Sequence, residues 1–118
     1  MGMTVEDFRA YWADVHAPIV KSIPGLRYYQ QCTVLDEAYH WGDPRWDGAE
    51  EIWFDNYEAA RRALASTEFQ RSLLPDFANF SEPPWYFFSE ARLVMWPGKS
   101  KAQALAEIAE RVKQPWLE

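Results

Sequence analysis

Cysteine is almost absent: Cys32 is the single thiol in 118 residues. One thiol excludes an internal disulfide and a cysteine-rich zinc site, and it fits a reducing, cytoplasmic setting. With nothing nearby to activate it, Cys32 reads as a small buried hydrophobe. Glycine is scarce as well, five in all, and neither a glycine-rich phosphate loop nor a Gly-x-Ser-x-Gly elbow is present. Positive charge is in deficit, with 12 Lys and Arg against 18 Asp and Glu, a net charge of −6 and a pI near 4.9. Nucleic acid and anionic membrane surfaces need clustered cations, so neither is an expected partner. No apolar run approaches the roughly 20 residues of a membrane span. The start, Met1-Gly2-Met3-Thr4, carries no signal-peptide pattern. Glu6 stands where a myristoylation signal wants Ser or Thr. Histidine is limited to His16 and His40, and no His, Cys, Asp and Glu group has zinc spacing. One helix histidine in so acidic a chain is thin ground for haem. The expectation is no metal and no cofactor.

Apolar residues make up 48% of the chain, which places it among globular proteins. The length suits a single domain over 1–118. Aromatics reach 17%, more than a core of this size uses, so some are available to line a pocket or a subunit interface.

Thr4 reads as a helix N-cap with Asp7 as its partner. Phe8, Trp12, Val15 and Ile19 follow at helical spacing as a buried stripe, flanked by Tyr11 and His16. Pro18 removes the N–H that the Asp14 carbonyl would use, so the helix is expected to bend or fray at His16. Leu26 to Leu35 alternates as a strand. Tyr28, Gln30 and Cys32 share one face, Tyr29, Gln31 and Thr33 the other, and neither is apolar enough to be assigned inward. Asp36 to Gly48 is a loop carrying Tyr39, His40, Trp41 and Trp46, expected to fold back as a flap or a partner contact. Ala49 to Phe54 is a second, antiparallel strand. Asp55 or Asn56 caps a helix to about Ala65, with Tyr57, Ala60 and Leu64 inward. A further helix starts near Thr67 and breaks at Pro75-Asp76-Phe77. A third strand is expected over Trp85 to Met95, and Ser100 to Lys113 reads as an amphipathic helix stopped by Pro115.

This order becomes the βαββαβ ferredoxin-like pattern once a strand is placed before the first helix and the last helix is set aside. The class is α+β with an antiparallel sheet, and an uncovered sheet face suits two copies packed together. The usual first strand has no counterpart in these residues, because only three precede the Thr4 cap.

The segment Gly2-Met3-Thr4-x2-Asp7-Phe8-x2-Tyr11-Trp12-x3-His16-Ala17-Pro18, followed by Pro24-Gly25-Leu26, Tyr29 and Gln31, resembles the opening of EthD-like proteins. Asp47-Gly48-Ala49-Glu50-Glu51-Ile52-Trp53-Phe54 resembles their second-strand motif, and Asp76-x3-Phe80 their later acidic-aromatic motif. The resemblance spans about residues 2–95 and leaves a C-terminal helical extension, about 99–118, outside it. It implies a ferredoxin-like dimeric α+β barrel, a homodimer through its sheet faces. It also implies relatives among cofactor-free lactone isomerases, tailoring enzymes of aromatic polyketides and proteins that accompany catabolic oxygenases.

His16 is the first candidate to move a proton, because the unperturbed histidine pKa lies closest to neutrality. Tyr29 and Tyr11 are candidates to bind a carbonyl or enolate oxygen, and Gln31 to orient it. Glu51, on the strand face of Trp53, is the candidate to fix the His16 tautomer, with Asp76 as a second carboxylate. Trp12, Trp53 and Phe80 are candidates to line an apolar pocket around a small hydrophobic or aromatic ligand. Plainer readings stand beside these. His16 can cap carbonyls freed by Pro18, Asp76 can be an N-cap, and Glu50 and Glu51 can split into one exposed and one buried or bridged residue. Three functions follow as expectations. The first is a cofactor-independent isomerase or lyase acting by proton transfer on a cyclic or aromatic substrate. The second is a non-enzymatic ligand-binding or accessory dimer for an aromatic-degrading oxygenase. The third is a cofactor-free monooxygenase.

Overall fold

Thr4 caps the first helix, its Oγ1 accepting the Asp7 N–H at 3.0 Å. In the computed structural model, which describes residues 2–92, 94, 98 and 100–112, helix α1 covers Val5–Tyr11. A π-helical turn over Trp12–His16 follows, and then helix α2, Ala17–Lys21. Pro18 does not fray this path. The chain widens by one residue so that the Ala17 N–H reaches the Trp12 carbonyl, which absorbs the proline without a break. The extra residue also rotates the buried stripe. Val15, expected inward, is 43% exposed, whereas Trp12, His16 and Val20 are buried.

The same device recurs ahead of Pro75. A π-helical turn spans Glu68–Leu73, the Leu74 N–H reaches the Phe69 carbonyl, and the short helix α4, Leu74–Asp76, continues the path. Pro75 therefore sits inside a helical segment instead of ending it, and a 3₁₀ turn over Phe77–Asn79 closes the segment. Such turns are frequent at functional positions. Here one ends on His16 and the other leads into Asp76.

Strands β1, Tyr28–Thr33, and β2, Gly48–Trp53, pair antiparallel from Tyr28↔Trp53 to Thr33↔Gly48. Directly opposed residues share a face. Tyr29, Gln31, Glu50 and Ile52 therefore point one way and Tyr28, Gln30, Cys32, Glu51 and Trp53 the other. The first set meets the helices: Tyr29 packs on the core and Gln31 and Glu50 bond to Trp12. In the second set Cys32 and Glu51 are exposed, so Cys32 is not the buried hydrophobe expected.

Helix α3, Tyr57–Leu64, is capped by Asn56, whose Oδ1 accepts the Ala59 N–H at 2.8 Å. Its buried residues are Ala59, Ala60 and Ala63; Tyr57 is exposed, so the inward face is rotated from the expected one. The core forms where α2, α3 and the second π turn meet the hairpin, around Val20, Ile23, Ala63 and Leu73. Fully burying one such aliphatic side chain is worth about 1.5–3 kcal/mol. An apolar cavity of about 50 Å³ lies within it, lined by Val20, Ile52 and Phe69 among others.

The fold is thus α+β, with a two-stranded antiparallel sheet and several helices. The third strand expected over Trp85–Met95 does not form across 85–92; residues 93 and 95 lie outside the described residues. A strand persists only through its ladder, and among the described residues neither edge of the hairpin pairs with 85–92. Trp85 and Phe87 consequently remain 76% and 77% exposed. The loop after β1 contains a 3₁₀ turn, Asp36–His40, fastened to α1 by the Arg9 guanidinium, which donates to Asp36 at 2.9 Å and to the Val34 carbonyl. Trp41 does not fold back and is 90% exposed, while Trp46 leans on Trp85 with ring centroids 6.3 Å apart. Helix α5, Lys101–Val112, begins in a capping box. The Gln103 N–H donates to Ser100 Oγ at 3.1 Å and the Ser100 N–H to Gln103 Oε1 at 2.9 Å. Lys113, Pro115 and the tail after it lie outside the described residues. Among the described residues no helix is long and apolar enough to cross a membrane.

Candidate active site

The two π turns bring His16 and Asp76, 60 residues apart in sequence, to 2.8 Å between Nδ1 and Oδ2. Burial works to raise the Asp76 pKa. Hydrogen bonds from Tyr11, Asn79 and His16 outweigh it and hold the carboxyl below its ordinary value. An ionised carboxylate only accepts, so His16 Nδ1 carries the hydrogen and donates. The second oxygen, Oδ1, accepts from the Tyr11 hydroxyl at 2.6 Å and from Asn79 Nδ2 at 3.0 Å. The bond to Asp76, with burial, in turn raises the Tyr11 phenol and keeps it a donor.

The other ring nitrogen, His16 Nε2, has no hydrogen-bond partner although the side chain is 0% exposed. It lies 3.6 Å from Glu50 Oε1. That same oxygen accepts from Trp12 Nε1 at 2.7 Å and from the Tyr29 hydroxyl at 2.6 Å. Burial first, then the contact with Glu50, pushes the Tyr29 phenol far above its usual range, so it too remains protonated. Gln31 Nε2 completes the array, donating to the Tyr29 oxygen at 2.7 Å and to the Trp12 carbonyl at 2.9 Å. A polar chain from Tyr11 through Asp76, His16 and Glu50 to Tyr29 and Gln31 therefore crosses the interface between helices and sheet. The rings of Phe77 and Phe80 each pack 4.7 Å from the imidazole, centroid to centroid.

Of the residues singled out in the sequence, the structure gathers His16, Asp76, Tyr11, Trp12, Tyr29, Gln31 and Phe80. It does not bring Glu51 or Trp53 to His16. Both lie on the opposite sheet face, where Trp53 Nε1 donates to Glu51 at 2.7 Å. The carboxylates that meet the imidazole are Asp76 and Glu50. In the sequence Glu50 stands only as one of a pair with Glu51, one exposed and one buried or bridged, and the strand register makes Glu50 the bridged one. Asn79 is not singled out there. An open hollow of about 380 Å³ lies near the far end of the hairpin, lined by Thr33, Arg45, Trp46 and Gly48 among others. His16 lines neither this hollow nor the small core cavity. Among the described residues no group of three or more His, Cys, Asp and Glu is placed to hold a metal ion.

Fold and site together define a small α+β domain with a buried histidine set between two carboxylates. The sequence profile of the EthD domain matches residues 1–84, and the chain belongs to the EthD domain family. A solved structure similar to it is an ethyl tert-butyl ether D (EthD) family protein from Bacillus halodurans. The two are 21% identical, and the match covers 69% of this chain and 78% of that one with a TM-score of 0.58. At that identity the likeness speaks for the fold alone. No curated protein matches the chain. The family suggested by the Tyr11-Trp12-x3-His16-x-Pro18 pattern is the family found.

Acid should act on this site in a defined direction. The Asp76 carboxyl is lower in the folded chain than its free value of 3.8, so its stabilisation is complete above that value and lost as pH falls through the folded one. Asp55, held low by its hydrogen bond with Arg27, acts in the same sense. Thermal melts are expected to lose stability below about pH 4, and Asp76→Asn to make that decline shallower. An identical acid profile in the variant would show that Asp76 does not carry it.

Proposed function

We propose that the chain is a proton-transfer enzyme acting without a cofactor on a hydrophobic cyclic or aromatic substrate, in an isomerase or lyase type of reaction. One observation carries this reading. His16 Nε2 is buried without a hydrogen-bond partner while Nδ1 is anchored to a carboxylate. Leaving a buried polar atom unpaired costs about 1–3 kcal/mol, and such atoms are uncommon in folded proteins. An imidazole with one nitrogen held and the other free is the arrangement that accepts and returns a proton. The Tyr29 hydroxyl is spent on Glu50 Oε1 and holds that carboxylate in place, and the Phe80 and Trp12 rings keep the surroundings apolar. Two copies joined through their sheet faces are part of this reading, since Cys32, Ala49 and Glu51 are exposed on that side.

The complete burial of His16 favours a second reading, a non-enzymatic dimer that binds an aromatic ligand or supports an oxygenase. Nitrogen-15 NMR of the histidines separates the two, with 2-naphthol, 1,4-naphthoquinone and α-angelica lactone as probes and His40→Ala for assignment. The enzyme reading expects a probe to move the His16 ring signals. Signals that stay fixed with every probe, together with a loss of about 1 kcal/mol or more in His16→Ala, would leave the histidine a structural group and the binding reading in its place.

A further inference from the structure

The geometry points to Glu50 as the residue that exchanges a proton with substrate, with His16 acting behind it as a positioning group. This rests on the proton-transfer reading above and assigns its contact atom. His16 is 0% exposed and lies beneath the rings of Phe77 and Phe80, so no substrate atom reaches its Nε2 in this conformation. Asp76 is 6% exposed, and the hydrogen bonds to it occupy both its oxygens. The Glu50 side chain is 17% exposed, the more open of the two carboxylates that meet the imidazole.

The carboxylate of Glu50 is used unevenly. Trp12 Nε1 and the Tyr29 hydroxyl both donate to Oε1, and His16 Nε2 faces the same oxygen. These contacts fix the carboxylate plane and leave Oε2 as the oxygen for a substrate proton. A carbon acid beside a carbonyl gives up its C–H proton to Oε2, and its electron pair moves onto the carbonyl oxygen as an enolate. Oε2 holds the proton while Oε1 keeps its contacts with Trp12, Tyr29 and His16, and Asp76 holds the imidazole in place through Nδ1. Returning the proton to a different substrate carbon completes an isomerisation with no oxidant or reductant. The fitting substrate class is a neutral, hydrophobic ring bearing an acidic C–H. A second carboxylate on the ligand would face the like charge of Glu50.

Two probes read this step directly. Nitrobenzisoxazole loses its ring C–H proton to a carboxylate base as its N–O bond breaks, releasing a coloured cyanophenolate. α-Angelica lactone moves a proton from its α-carbon to its γ-carbon, followed by proton NMR. If Glu50 is the contact base, Glu50→Gln lowers kcat on the accepted probe about 100-fold or more with KM changed less than about threefold. Glu50→Asp keeps the charge but withdraws the oxygen by one methylene, and loses about tenfold. His16→Gln is expected to lose about tenfold and to shift the pH at which kcat is half-maximal, which a purely structural histidine would not do. Far-UV spectra and melts establish that each variant is folded; should Glu50→Gln not fold, Glu50→Asp carries the comparison alone. Retained activity in either Glu50 variant, with loss in His16→Gln, overturns this assignment and leaves the proton-transfer reading standing. A wild-type protein that accelerates neither probe overturns both.

Discussion

Asp76→Ala is expected to lower folding stability by about 3 kcal/mol, one of the largest effects of a single truncation in this chain. Tyr11, His16 and Asn79 all donate to this carboxylate, at 2.6, 2.8 and 3.0 Å, and the residue is buried. Alanine leaves those donors without an acceptor. A hydrogen bond to a charged group is worth about 1.5–3 kcal/mol, but the values do not add, because the removed carboxylate no longer carries its own desolvation cost. Tyr11→Phe removes one donor and leaves the others, so about 1 kcal/mol is expected there. Urea denaturation of the variants and of the Tyr11→Phe/Asp76→Ala double mutant measures both. A loss under about 1 kcal/mol for Asp76→Ala would mean that the donors find other partners when it is gone.

Gly48→Ala is expected to cost about 2–3 kcal/mol and to break the bond between Trp12 and Glu50. A Cβ on Gly48 would stand 2.6 and 2.7 Å from Cζ3 and Cη2 of the Trp12 indole and 3.1 Å from the Cys32 carbonyl oxygen. Gly48 is not among the glycines with positive φ, so the cost is steric and not conformational. The indole cannot swing clear. It is 3% exposed, packed against Phe8 at 5.2 Å between centroids, and held to Glu50 through Nε1. With seven tryptophans in the chain, the assigned Trp12 indole N–H resonance is a cleaner readout than fluorescence. An unchanged melting temperature and an unmoved resonance would show that the strand shifts at little cost to make room.

The glycine and the carboxylate two residues after it explain why the site was only partly legible. His16, Tyr11 and Trp12 sit on one short helix whose pattern marks them together. That Tyr29 and Gln31 share a face follows from the alternation of β1, but that this face meets the helices does not. The choice between Glu50 and Glu51 does not, since alternation of period two is symmetric and the flanking residues weight neither face. Pairing Gln31 with Glu50 and Gln30 with Glu51 settles it, and only the register does so. The buried stripe of the first helix shows a similar limit. A pattern of 3.6 residues per turn selects Val15, but the wider turn ahead of Pro18 carries His16 and Val20 inward.

By itself the sequence determined the local punctuation and the family. Thr4 caps its helix as expected, and of the two candidates Asp55 and Asn56 it is Asn56 that caps the next, because a short side-chain oxygen satisfies the orphan N–H groups nearby. The Ser100 cap emerged only from the structure. The EthD-like pattern rests on residue identities and spacing, which need no fold to be read. Tertiary structure alone decided that two proline-bearing helical segments continue through π turns, that Asp76 and Glu50 flank the imidazole, and that residues 85–92 form no strand. Those outcomes depend on contacts between groups far apart in the chain. A hydrogen bond across 60 residues, or a ladder that lacks its partner strand, leaves no trace in local periodicity.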